Sequence, residues 1–160
     1  MKWAGGKMKL LDFLYNKKRK SGNDFFGKMT LIEFEKEKNN SYFECRRHFK
    51  PTNTIIEIRI NGDELGVTEK QIEFFKQVED NYLAICKSVT PLVKRLFDGL
   101  KIEIKIVEFE KEFQATRLYL PVCDTVPVVW EISFETRLET KKYQFTVLMK
   151  EFEAKEIGMD

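Results

Sequence analysis

The run Thr68-Glu69-Lys70-Gln71 marks the start of a helix. A threonine hydroxyl there can accept the third helical N–H, and the glutamine side chain can reach back to the threonine's own N–H, which makes a capping box. Val67 and Ile72 stand where a hydrophobic staple would close around it. Beyond them Ile72, Phe75, Val78, Tyr82, Ile85, Val89, Leu92 and Leu96 trace one apolar stripe at three- and four-residue spacing. Pro91 falls inside the stripe. Either one helix kinks there, or it ends near Val89 and a second begins with Thr90 as cap and Pro91 in its first turn. Gly99 is the natural stop. An element of about 30 residues, apolar along one side, needs a sheet to lie on.

The flanking sequence has the period of two that builds one. Met29–Lys36 and Ser41–His48 are joined by Lys38-Asn39-Asn40, whose asparagines tolerate the positive φ of a hairpin turn. Thr54–Ile60 alternates Ile56, Ile58 and Ile60 with Glu57 and Arg59, the pattern of a strand with one dry and one wet face. After the helical stretch, Lys101–Glu110 alternates Ile102, Ile104 and Ile106 with Glu103 and Lys105, and Phe113–Leu120 reads as its antiparallel partner. Pro121 and Pro127 bracket a loop or edge. Val128–Glu135 and Lys142–Lys150 make a last hairpin, and Phe152–Asp160 can add a short strand. The expected fold is α+β: an antiparallel sheet of about six or seven strands packed on one long or Pro-kinked helix, with a short basic helix at the N-terminus.

That N-terminal helix is read over Lys7–Lys20, where Met8, Leu11, Leu14 and Tyr15 recur at helical spacing before Ser21-Gly22-Asn23-Asp24 stops it. The expected organisation is a leader and linker over residues 1–24 and a single α+β domain over 25–160. The net charge of +2 conceals an asymmetry: residues 1–20 carry +6 and the other 140 sum to −4. Peripheral contact of residues 7–20 with an anionic membrane is one use of such a leader. The whole-chain charge excludes histone-like nucleic-acid binding. No apolar run approaches the roughly 18 residues of a membrane span. Cys45, Cys86 and Cys123 are odd in number, far apart and set among apolar neighbours, which favours buried free thiols and a cytoplasmic chain without a signal peptide.

Catalytic signatures are sparse. The single histidine, His48, lies at a strand end beside Arg46 and Arg47. Cys45 and His48 have half the spacing of a zinc site, but the other half would have to come from Cys86 and Cys123. No Gly-x-Ser-x-Gly and no glycine-rich phosphate loop occurs. Asp98, Glu103 and Lys105 follow the Asp…Glu-x-Lys arrangement of Mg²⁺-dependent nucleases, in which carboxylates hold the metal and lysine helps activate water. The plainer reading is a strand whose outward face alternates charge.

The stretch Pro127-Val128-Val129-Trp130-Glu131-Ile132-Ser133-Phe134-Glu135, with the ending Glu156-Ile157-Gly158-Met159-Asp160, resembles the C-terminal part of small α+β domains of bacteria. The opening Met8-Lys9-Leu10-Leu11-Asp12-Phe13-Leu14-Tyr15-Asn16-Lys17-Lys18 resembles the leaders placed before such domains. The loop Glu135–Lys141 departs from their acidic, glycine-containing one. The resemblance supplies no catalytic residues and implies, for some such domains, an immunity role against a toxin; no cofactor is expected. The expected function is therefore a non-catalytic protein-binding domain of immunity type, with a metal-dependent nuclease or other small enzyme, and a membrane-surface accessory protein acting through the basic leader, as alternatives. No catalytic or metal residues are assigned. The candidate partner-binding residues are Lys17, Lys18, Arg19, Lys20, Arg46, Arg47 and Arg59.

Overall fold

The structure is a computed structural model describing residues 16–34, 37–137 and 141–159. Its frame is one eight-stranded sheet in sequential order: β1 (Asn16–Asn23), β2 (Gly27–Phe34), β3 (Tyr42–Phe49), β4 (Thr54–Asn61), β5 (Phe113–Leu120), β6 (Val129–Thr136), β7 (Gln144–Lys150) and β8 (Glu153–Met159). Neighbours run antiparallel except the central pair β4/β5, which is parallel. A parallel pair needs a long crossover, and the helices α1 (Glu69–Asp80), α2 (Tyr82–Gly99) and α3 (Phe109–Glu112) supply it.

The expected fold is overturned in several respects. The sheet is wider than six or seven strands and dominates the molecule, and no single long helix lies on it. The capping box forms as the sequence dictates: Gln71 N donates to Thr68 Oγ1 at 3.3 Å, and Thr68 N donates to Gln71 Oε1 at 3.0 Å. The apolar stripe is interrupted at Asn81, not at Pro91. Asn81 leaves helical geometry (φ −99°, ψ 11°), and its side chain donates to the Gln77 carbonyl at 2.8 Å, closing α1. Pro91 lies inside α2 on its exposed side. The Lys87 carbonyl that loses its donor there belongs to an exposed residue, so the fault falls on the solvent side.

Two expected elements change identity. The described part of the predicted Lys7–Lys20 helix, from Asn16 onward, is strand β1, paired over its whole length with β2. The helical spacing came from residues before Asn16, which lie outside the described ones. The β1/β2 turn is held by Asn23, whose Oδ1 accepts Phe25 N at 2.8 Å and Phe26 N at 3.0 Å. Lys101–Glu108 is no strand of the sheet, so Phe113–Leu120 pairs with β4 and β6 instead. The hairpin expected from Trp130 forms: β6 pairs with β7, and Ile157-Gly158 belongs to β8 on its far side.

The core lies between the helices and one side of the sheet. Phe75 packs edge-on against Phe49 and Phe74 against Trp130, while Phe97 stacks on Phe113 and meets Phe145 edge-on. The Trp130 indole N–H donates to the Glu151 carbonyl at 2.6 Å, so the largest core side chain carries no unmet donor. Gln71, buried at the start of α1, donates to the carbonyls of Asn61 and Pro121 at 2.6 and 2.9 Å. It thereby ties the ends of β4 and β5 together. Among the described residues no helix is long and apolar enough to cross a membrane.

Candidate functional site

In a strand, alternate side chains take opposite faces. The inner face of the central strands holds Phe43, Cys45 and Phe49 of β3, Ile56, Ile58 and Ile60 of β4, and Leu118 and Leu120 of β5. The outer face therefore receives Tyr42, Glu44, Arg46 and His48, then Glu57, Arg59 and Asn61, then Arg117 and Tyr119. None of these belongs to the hydrophobic core.

The outer residues are tied to one another. Glu57 Oε1 accepts Arg117 Nε at 2.8 Å and Arg59 Nε at 3.0 Å. Arg59 also lies 3.6 Å from Glu44 Oε2, with its guanidinium 5.4 Å from the Tyr42 ring centre. Asn61 Nδ2 donates to the Tyr119 hydroxyl at 3.1 Å, and Ser133 Oγ and Thr146 Oγ1 are 2.8 Å apart farther along the face. Burial beside Arg59 leaves the Tyr42 phenol above its ordinary pKa, since loss of solvent opposes the phenolate more than the guanidinium favours it. The centre of this face is half-buried, with Glu57, Arg59 and Arg117 side chains 25%, 34% and 41% exposed.

The seven candidate partner-binding residues divide. Lys18, Lys20, Arg46 and Arg59 lie on the outer face, by register with Ile32, Thr30, Glu57 and Glu44. Lys17 and Arg19 take the opposite face of β1, beside Glu33 and Leu31. Arg19 Nη2 is bound by Glu33 at 2.9 Å and Glu64 at 2.7 Å, and those hydrogen bonds raise its pKa further. Arg47 points inward: its guanidinium sits 3.9 Å from the Phe25 ring centre and donates to the Phe25 carbonyl. It clamps the β1/β2 turn to the body. Sequence reasoning passed over Glu57, Arg117, Tyr42, Tyr119 and Asn61. Parity along β3 and β4 carried the signal for three of them, but Arg117 and Tyr119 needed the β4/β5 pairing.

The cysteine and histidine candidates do not converge. Cys45 and His48 are three apart on one strand and so point to opposite faces. His48 Nε2 meets Asn53 Oδ1 at 2.8 Å. Burial pushes the Cys45 thiol up to about 11 and the Cys86 thiol up to about 12. Cys123, half-buried in the β5–β6 loop, is pushed up to about 11 by burial and the nearby Asp124 and Glu151. Asp98, Glu103 and Lys105 line one open groove beside Lys101, Ile102 and Ile104. Among the described residues no cluster of three or more His, Cys, Asp or Glu is arranged to hold a metal ion. No protein-family model, curated protein sequence or solved structure matches the chain.

Proposed function

We propose that this chain is a non-catalytic protein-binding domain whose partner docks on the outer face of the sheet, around Arg46, Arg59 and Arg117. The observation that carries the reading is the Arg59–Glu57–Arg117 network, which holds two guanidiniums in place beside Tyr42 and Tyr119. Side chains already ordered lose less conformational freedom on binding, and arginine and tyrosine often dominate interface energetics.

The face is also electrically polarised. Lys18, Lys20, Lys28, Arg46, Arg59 and Arg117 outnumber Glu44 and Glu57 over β1–β5, whereas over β6–β8 Glu135 is paired with Lys142 and Glu153 with Lys155. A partner with an acidic patch would be steered towards the first half. The resemblance of the Trp130 strand supports taking that partner as a toxin and the chain as a cytoplasmic immunity-type protein; unpaired thiols at Cys45, Cys86 and Cys123 agree with a reducing compartment.

The test is isolation of the tagged chain from its native cells. A stoichiometric protein partner is expected, lost when Arg46→Glu and Arg117→Glu are combined and kept with Lys17→Glu. Recovery without any stoichiometric partner, or a partner held equally by all three proteins, would overturn the reading. So would Mg²⁺-dependent cleavage of DNA or RNA that Glu103→Gln abolishes.

A further inference from the structure

Between α2 and α3 the chain runs through Ile102-Glu103-Ile104-Lys105-Ile106-Val107 outside the eight-stranded ladder. Its burial nevertheless alternates as in a strand: Ile102, Ile104 and Ile106 are half-buried against the core, while Glu103, Lys105 and Val107 are exposed. Among the described residues, no backbone N–H or carbonyl from Glu103 to Val107 has a backbone partner. Among the described residues Glu103 and Lys105 are in no ion pair, although they carry opposite charges two positions apart. An extended, unladdered segment with a row of free peptide groups is a template for pairing.

The order of its residues says with what. Read antiparallel to itself about Ile104, the segment is self-complementary: Ile102 falls opposite Ile106, Glu103 opposite Lys105, and Ile104 opposite its own equivalent. We infer that Ile102–Ile106 pairs antiparallel with the same segment of a second copy of this chain, forming a twofold-symmetric dimer. Both Glu103–Lys105 contacts then form at once, and the free peptide groups along one edge gain partners. A twofold contact of this kind closes on itself, so association stops at two chains. The sheet's own edges are worse templates. β1 bears Lys17, Lys18, Arg19 and Lys20 in succession, and β8 carries a register shift beside Glu153, Lys155 and Glu156. The inference is independent of the outer-face reading, since the segment lies off the sheet.

Sedimentation equilibrium of the full chain over a range of concentrations tests it. The expected result is a reversible monomer–dimer equilibrium. Lys105→Glu places like charges opposite each other at both symmetry-related positions and should weaken the dimer about tenfold. Combining it with Glu103→Lys restores opposite charges and should return the wild-type constant. A wild-type chain that stays monomeric at its highest soluble concentration would overturn the inference. So would a dimer insensitive to Lys105→Glu, or one that the double exchange fails to rescue. A second reading needs no variant: amide exchange at Glu103–Val107 should slow as wild-type concentration rises, and no change would count equally against the pairing.

Discussion

Glu57 and Arg117 stand sixty positions apart, yet Arg117 Nε donates to Glu57 Oε1 at 2.8 Å across the one parallel junction of the sheet. The contact joins the two halves of the chain on the face assigned to binding. Glu57→Ala leaves two half-exposed guanidiniums facing each other and is expected to cost about 1 kcal/mol of stability, discounted for solvent screening. Urea unfolding measures it, and Glu57→Gln should recover part of the loss because its amide oxygen can still accept.

Trp130 is fully buried, packs edge-on against Phe74, and donates to the Glu151 carbonyl at the β7–β8 turn. Trp130→Phe removes volume and leaves that carbonyl without the indole N–H. A loss of about 2–3 kcal/mol is expected from the cavity and the missing hydrogen bond together. Chemical denaturation against wild type checks the figure.

Gly62 ends β4 where a side chain has no room. A Cβ there would lie 2.9 Å from Cε2 of Phe43, whose ring is buried in the core. Gly62→Ala should therefore destabilise by about 1–3 kcal/mol through overpacking. Pairing it with Phe43→Leu should return part of the loss in a double-mutant cycle, because the clash is with that ring.

The buried thiols make stability sensitive to alkali. Burial raises Cys86 from about 9 to about 12, so the folded chain keeps a proton that the unfolded chain releases. Its contribution is present in full below pH 9 and lost as pH rises from 9 towards 12; Cys45 and Cys123, both raised to about 11, act with the same sign. The urea midpoint should fall over that range, and less steeply in Cys86→Ala. At neutral pH all three thiols should react slowly with thiol reagents, Cys123 first because it is the least buried.

Local rules were legible where one residue type answers one need. Thr68 and Gln71 marked the start of α1 because the cap satisfies N–H groups that nothing else nearby can reach. Arg46 and Arg47 are adjacent in a strand, so they had to take opposite faces, and Phe43 and Cys45 already showed which one was inward. Features set by distant partners were hidden. Ile102–Ile106 has the rhythm of a strand, but rhythm reports an extended chain with one dry side and does not report a ladder. Lys17–Lys20 has no apolar alternation, and its strand exists because β2 offers an edge to pair with. The break at Asn81 lies within an unbroken apolar stripe, so spacing does not mark it: Phe75 before it and Tyr82 after it both pack on Phe49. The Glu57–Arg117 contact depends on a parallel pairing that the crossover helices impose, which no local pattern announces.

The outer-face claim is tested most directly by hydroxyl-radical footprinting of the chain, alone and saturated with the partner recovered from native cells. Tyr42, Ile55, Tyr119 and Leu148 on the outer face are predicted to lose reactivity in the complex, while Leu83 on α2 and Val107 beyond the sheet keep theirs. Protection of Leu83 with Tyr42 and Tyr119 unchanged would contradict the account and place the binding surface on the helices.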